Sequence, residues 1–65
     1  MKILFADNLK TVRKSSNMTQ QDLAQLLHVD QRTISAWENK ICEPDFETLA
    51  KICEIFNEDF NDILR

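Results

Sequence analysis

The sequence predicts an all-α domain of five short helices around one core. Three observations carry this. Apolar residues recur at three- and four-residue intervals in successive stretches. A capping residue precedes most of these stretches. Neither an alternating β-branched run nor an Asn-Gly hairpin turn occurs. With 65 residues, the chain has room for a single domain over 1–65, because so short a chain buries only about 60 % of the surface it exposes unfolded.

In the first helix, roughly 4–15, Phe5, Leu9 and Val12 fall at i, i+4 and i+7. Arg13 and Lys14 close it where the helix dipole is negative. Ser15-Ser16-Asn17 is a polar break. Thr19 opens the second helix, with Asp22 three residues on in a capping-box arrangement and Met18 and Leu23 as a hydrophobic staple. Leu23, Leu26 and Leu27 form its apolar edge. Only Leu27-His28-Val29 separates it from the third helix, which Asp30 caps and whose inward side is Ile34 and Trp37. Pro44, lacking an N–H and restraining Glu43, prevents continuation. Asp45 caps a fourth helix with Leu49, Ile52, Cys53 and Phe56 at i, i+3, i+4 and i+7, and Asn57 is its expected left-handed terminator. Asp59 caps a fifth, with Phe60, Ile63 and Leu64 inward.

Composition narrows the function. Forty-three per cent apolar and 29 % charged residues suit a folded domain rather than a disordered one. No run approaches the roughly 18 apolar residues that span a membrane, and Met1-Lys2-Ile3-Leu4-Phe5 meets Asp7 too soon for a signal peptide. A cytoplasmic protein is expected. A deep substrate cavity would remove core this chain needs, so no enzyme is expected. Cys42 and Cys53 lack CxxC spacing and, with one His, make no metal pattern; both are expected as free thiols, with Cys53 packed as a small apolar group. Neither metal nor cofactor is expected. Glycine is absent, where average usage would give about four or five.

The net charge of −3 argues against an anionic partner until it is divided. Residues 1–40 carry six Lys and Arg against four Asp and Glu, a balance of +2, and residues 41–65 carry two against seven, a balance of −5. An anionic partner would therefore meet the first part. The acidic second part has a local explanation: Asp45, Glu47, Asp59 and Asp62 sit in first turns, where carboxylates meet free N–H groups.

Two helices joined by three residues form a helix-turn-helix arrangement. The stretches Thr19-Gln20-Gln21-Asp22-Leu23-Ala24 and Val29-Asp30-Gln31-Arg32-Thr33-Ile34-Ser35-Ala36-Trp37-Glu38-Asn39 resemble the Cro/CI phage-repressor type helix-turn-helix (XRE) family. Asn8-Leu9-Lys10 with Arg13-Lys14, and Pro44 through Leu49, extend the resemblance over nearly the whole chain. It implies a five-helix, lambda-repressor-like domain that binds double-stranded DNA sequence-specifically as a small transcriptional regulator. The helix-turn-helix would span about 19–39, and the recognition helix, about 31–39, would lie in the major groove. A repressor-like homodimer on a pseudopalindromic operator follows from the same resemblance.

The residues agree with this. Gln31, Arg32, Ser35 and Ala36 lie off the Ile34/Trp37 stripe and are the base-reading candidates: Gln matches adenine N6/N7, Arg guanine O6/N7, and Ala a thymine methyl. By resemblance Gln20 holds a phosphate at a helix N-terminus, and Thr33, Asn39, Lys40 and Arg13 are further backbone contacts. Glu38 is expected to pair within the domain. Three departures from the family stand out. His28 and Lys40 occupy positions usually held by glycine, and Asp30 replaces Ser or Thr close to the DNA backbone. A competing reading is a protein-interaction module, such as an antitoxin or adaptor, that uses the acidic C-terminal half. A dimer contact is expected through the last helix and the end of the fourth, because Ile55 lies off the Leu49/Phe56 stripe.

Overall fold

The computed structural model describes residues 5–59 and residue 63. It contains four helices, α1 (Phe5–Ser15), α2 (Gln20–Leu27), α3 (Gln31–Glu38) and α4 (Phe46–Phe56), and among the described residues no strand. Among the described residues the count is four, where the sequence predicts five. The expected fifth helix falls mostly on residues 60–62, 64 and 65, outside the described set. Within it Ile63 is helical and buried. Its N–H donates to the Asp59 carbonyl at 3.1 Å, and its own carbonyl accepts from Asn8 Nδ2 at 3.1 Å.

The helix starts follow the capping chemistry of the sequence. Thr19 and Asp22 form the reciprocal box: Thr19 Oγ1 accepts from Asp22 N–H at 3.0 Å, and the Asp22 carboxylate accepts from Thr19 N–H at 2.9 Å. Asp30 accepts from Arg32 N–H at 2.8 Å, and Asp45 from Thr48 N–H at 2.8 Å. Each carboxylate satisfies a donor that the first turn otherwise leaves free.

The helix ends repeat one device four times. After each helix a residue with left-handed backbone reverses the chain: Asn17 (φ 59°), His28 (φ 57°), Lys40 (φ 63°) and Asn57 (φ 54°). The N–H groups of Met18, Val29, Ile41 and Glu58 reach back five residues, to the carbonyls of Arg13, Ala24, Ala36 and Cys53, at 2.9–3.1 Å. The left-handed residues themselves donate three residues back, to Lys14, Gln25, Trp37 and Glu54. This is the Schellman arrangement, which glycine normally serves at no steric cost. Asparagine tolerates the conformation at two of the positions; His28 and Lys40 hold it with ordinary side chains.

The core is built by Phe5 and Leu9 of α1, Leu23, Ala24 and Leu27 of α2, Ile34 and Trp37 of α3, and Ile52 and Cys53 of α4, with Ile63. Leu9, Leu23, Ile34 and Ile52 are wholly inaccessible. Helix α3 packs on both α1 and α2, and α4 closes against α2. Four expected core positions differ. Leu26 is 51 % exposed, because α2 packs through the Leu23/Leu27 ridge and Leu26 lies beside it. Val12, Leu49 and Phe56 are half-buried partners of the core rather than members of it.

Candidate nucleic-acid interface

Helix α3 separates its residues by its own period. Ile34 and Trp37 are buried, and Gln31 and Arg32 are exposed, with Ser35 and Ala36 half-buried one turn further along. Spacings of one, four and five residues place these four on one side of a 3.6-residue helix. Asn39 continues that side and donates from Nδ2 to Ser35 Oγ at 3.1 Å. Thr33 is half-buried, and Lys40 is exposed just beyond the helix, where its Nζ stands 3.7 Å from Asp7 Oδ2. That pair is solvated on both sides, so it holds Lys40 weakly.

Arg13 is not on this surface. It is 7 % exposed, and its guanidinium grips the Glu38 carboxylate with two hydrogen bonds, Nε to Oε2 at 2.7 Å and Nη2 to Oε1 at 3.1 Å. A third bond runs from Nη1 to the Met18 carbonyl at 2.7 Å. The expected phosphate contact is thus a buried ion pair joining α1, the α1–α2 turn and the end of α3. The sequence carried a signal for this. Phe5, Leu9 and Arg13 stand at four-residue intervals, which puts Arg13 on the buried face of α1. Glu38 pairs within the domain, as its place beside Trp37 suggested.

Gln20 lies at the first position of α2, half-buried. Its Nε2 donates to Glu38 Oε1 at 3.1 Å, and its Oε1 stands 3.5 Å from Gln31 Nε2. Sequence reasoning placed Gln20 and Gln31 separately, one on phosphate and one on a base. The structure brings them side by side. No local pattern reveals this, since the contact crosses between helices.

A further carboxylate stands at the start of α3, beside Arg32. Asp30 Oδ1 is 3.5 Å from Arg32 Nε, and the Arg32 side chain is 93 % exposed, so the guanidinium projects into solvent. The Arg32 backbone N–H, then its side chain, hold the Asp30 carboxyl below the usual aspartate range. Asp30 is therefore a committed anion at the start of α3.

Elsewhere the chemistry is sparse. Burial pushes the Cys53 thiol up, with Asp59 and Glu58 adding to it, which opposes nucleophilic use. Cys42 is exposed and both cysteines are free. Among the described residues, no three His, Cys, Asp or Glu side chains gather to hold a metal ion, and no helix is long and apolar enough to cross a membrane. The described residues also line shallow grooves, two of which flank the helix-turn-helix. One, of about 390 Å³, lies between the start of α1 and the end of α3, beside Phe5, Trp37, Lys40 and Ile41. The other, of about 300 Å³, lies between α2 and α4, beside Leu26, Lys51, Glu54 and Ile55.

Residues 9–63 match the model of a family described as helix-turn-helix. The chain is 34 % identical over 62 residues to the uncharacterized HTH-type transcriptional regulator YqaE of Bacillus subtilis, a match covering 95 % of this chain and 53 % of that protein. It is 28 % identical over 61 residues to the antitoxin PezA of Streptococcus pneumoniae, covering 94 % of this chain and 39 % of that one. Among solved structures it superposes on a transcriptional regulator from Listeria innocua with a TM-score of 0.94 and 25 % identity, over 98 % of this chain and 60 % of that chain. The chain thus spans about half the length, or less, of the curated relatives it matches.

Proposed function

The chain belongs to the XRE-type helix-turn-helix family, and from that membership we propose that it reads a specific sequence in duplex DNA as a small transcriptional regulator. The observation that carries the reading is the outward side of α3. It offers an amide, a guanidinium, a hydroxyl and a methyl in helical succession, Gln31, Arg32, Ser35 and Ala36, on a helix fixed from behind by Ile34 and Trp37. These groups match the donors, acceptors and methyls that line a major groove. Gln20, Thr33, Asn39 and Lys40 flank them as backbone contacts, with Lys40 supplying the charge. Arg13 leaves that set, being enclosed by Glu38.

Readout and positioning are separable by mutation. Arg32→Ala is expected to cost about 1–3 kcal/mol on the preferred site and far less on random duplex. Lys40→Ala is expected to weaken both about equally and to flatten the salt dependence by about one unit. Equal losses for Arg32→Ala on specific and random DNA would remove Arg32 from base readout.

A homodimer on a pseudopalindromic site is part of the proposal. Its contact includes the Ile55 end of α4, where Ile55 and Leu26 border the α2–α4 groove, together with the last segment expected from the sequence. A second reading, a domain that acts through a protein partner, is favoured by the likeness to the antitoxin PezA and by the acidic half from residue 41 onward. Isolated chain that shifts no duplex at low salt would favour that reading.

A further inference from the structure

We propose that the groove between the start of α1 and the end of α3 docks a segment of another protein, an apolar side chain flanked by Lys or Arg, and that this occupant covers Lys40. The docking stands on the groove itself. Its consequence, competition with DNA, rests on the reading of Lys40 as a phosphate contact.

Ile41 departs from the pattern of the other helix ends. In a Schellman turn the residue after the left-handed one commonly packs against its own helix. Met18, Val29 and Glu58 hold that place after Asn17, His28 and Asn57, and all three are half-buried. Ile41 holds it after Lys40 and is 76 % exposed. It lines the groove instead, together with the buried Phe5 and Trp37. At the far end of the same connection Phe46, the first residue of α4, is 73 % exposed. An apolar side chain laid against Ile41 would remove this surface from water.

The charges around the groove select the partner. Glu43 lines it, is exposed, and among the described residues has no ion-pair partner. Lys40 is the cation of the lining, and its Nζ already stands 3.7 Å from Asp7 Oδ2. An incoming cation thus finds Glu43 open and can replace Lys40 at Asp7, whereas an anion meets two carboxylates against one ammonium. A second copy of this chain is a poorer complement. Its other large exposed apolar side chains among the described residues are Leu26, beside which Lys51 and Glu54 offset one another, and Phe46, between Asp45 and Glu47. A small molecule fits less well too, because such ligands are mostly enclosed by their sites and this groove is shallow. An amphipathic basic segment laid in the groove meets all these features.

Three short blocked peptides test the site: one with Leu on one helical face and Lys on the other, one with Glu in place of Lys, and one with Gln in place of Leu. The Leu/Lys peptide should saturate, moving Trp37 emission and the backbone resonances of Ala6, Ile41 and Glu43. It should bind at least about tenfold tighter than either control. Ile41→Ser and Glu43→Lys should each weaken it about tenfold, while Glu54→Lys, the same charge change on the α2–α4 groove, should leave it unchanged. Equal weakening by Glu43→Lys and Glu54→Lys would reduce the binding to overall charge and overturn the site. Resonance changes centred on the α2–α4 groove, or no saturation, would overturn it as well. Against labelled duplex, the peptide should raise the apparent Kd of the native chain more than that of Ile41→Ser, a comparison that cancels the peptide's own affinity for DNA. Equal effects would overturn the competition. If no duplex binds, the reading of α3 fails, while the peptide titrations still decide the docking site.

Discussion

Arg13 and Glu38 are the two charged residues buried among the described ones, and they lock α1 to the end of α3 by two hydrogen bonds. Removing one partner strands the other without water. Arg13→Ala or Glu38→Ala should each cost about 3–5 kcal/mol, measured as a shift in urea midpoint. Arg13→Met with Glu38→Leu should recover most of that, because a well-packed apolar pair replaces both charges. A loss below about 1 kcal/mol for the single variants would show the pair to be solvated. The partner of Glu38 was readable from the Phe5, Leu9, Arg13 spacing, whereas the Gln20–Gln31 approach was not, because it joins two helices through tertiary packing. Asp30 carries a second expectation at this scale. Asp30→Ser keeps a capping oxygen and removes an anion beside the proposed phosphate contacts. The melting temperature should change little, while binding tightens on preferred and random duplex alike, most at low salt. Loss on the preferred site alone would instead make Asp30 a reader of cytosine N4.

Among elements, the starts and the ends of the helices differ in how openly the sequence shows them. Starts were read from Thr19, Asp30 and Asp45, since a short oxygen-bearing side chain before an apolar period has few other uses. The ends at Asn17 and Asn57 use a residue that tolerates left-handed backbone. His28 and Lys40 hide the same turn behind side chains that do not announce a helix end as glycine or asparagine does. A left-handed residue other than glycine costs about 1–2 kcal/mol, of which glycine's greater unfolded freedom returns a part. His28→Gly and Lys40→Gly should therefore each stabilise the domain by about 0.5–1 kcal/mol in urea titrations. Lys40→Gly should weaken DNA binding as it stabilises, so stability and affinity would separate in one variant. The starts also set an acid limit. Asp22, Asp30 and Asp45 all titrate below the ordinary value of 3.8: Thr19 N–H bonds the first, Arg32 N–H the second, and the Thr48 side chain and then its N–H the third. The unfolded chain thus takes up these protons first. Their contribution is complete above about pH 4 and is lost as pH falls through the folded values. Asp45→Asn, which still accepts from Thr48 but does not titrate, should melt with a weaker dependence below pH 4. Parallel curves for native and variant chains would contradict this.

At the scale of the molecule, dividing the charge pointed to the first half as the side to meet an anionic partner despite a net −3, and the all-α class followed from periodicity, capping residues and the lack of strand signals. The fifth helix fell on residues of which only Ile63 is described, so its expected role in the dimer rests on sequence and on Ile55. A homodimer would set two recognition helices about 34 Å apart, one turn of DNA. Light scattering at high micromolar concentration should give twice 7.6 kDa; a monomer unchanged by added duplex would contradict the dimer. The most direct test of sequence-specific reading by α3 is selection of bound sequences from a randomised duplex pool, run with the native chain and with Arg32→Ala. The native chain should enrich a half-site repeated with two-fold symmetry at a spacing of about 10 base pairs. Arg32→Ala should lose preference at one position of each half-site and keep the rest. A native chain that enriches no sequence even at low salt, or a variant that enriches the same site unchanged, would contradict that reading of α3.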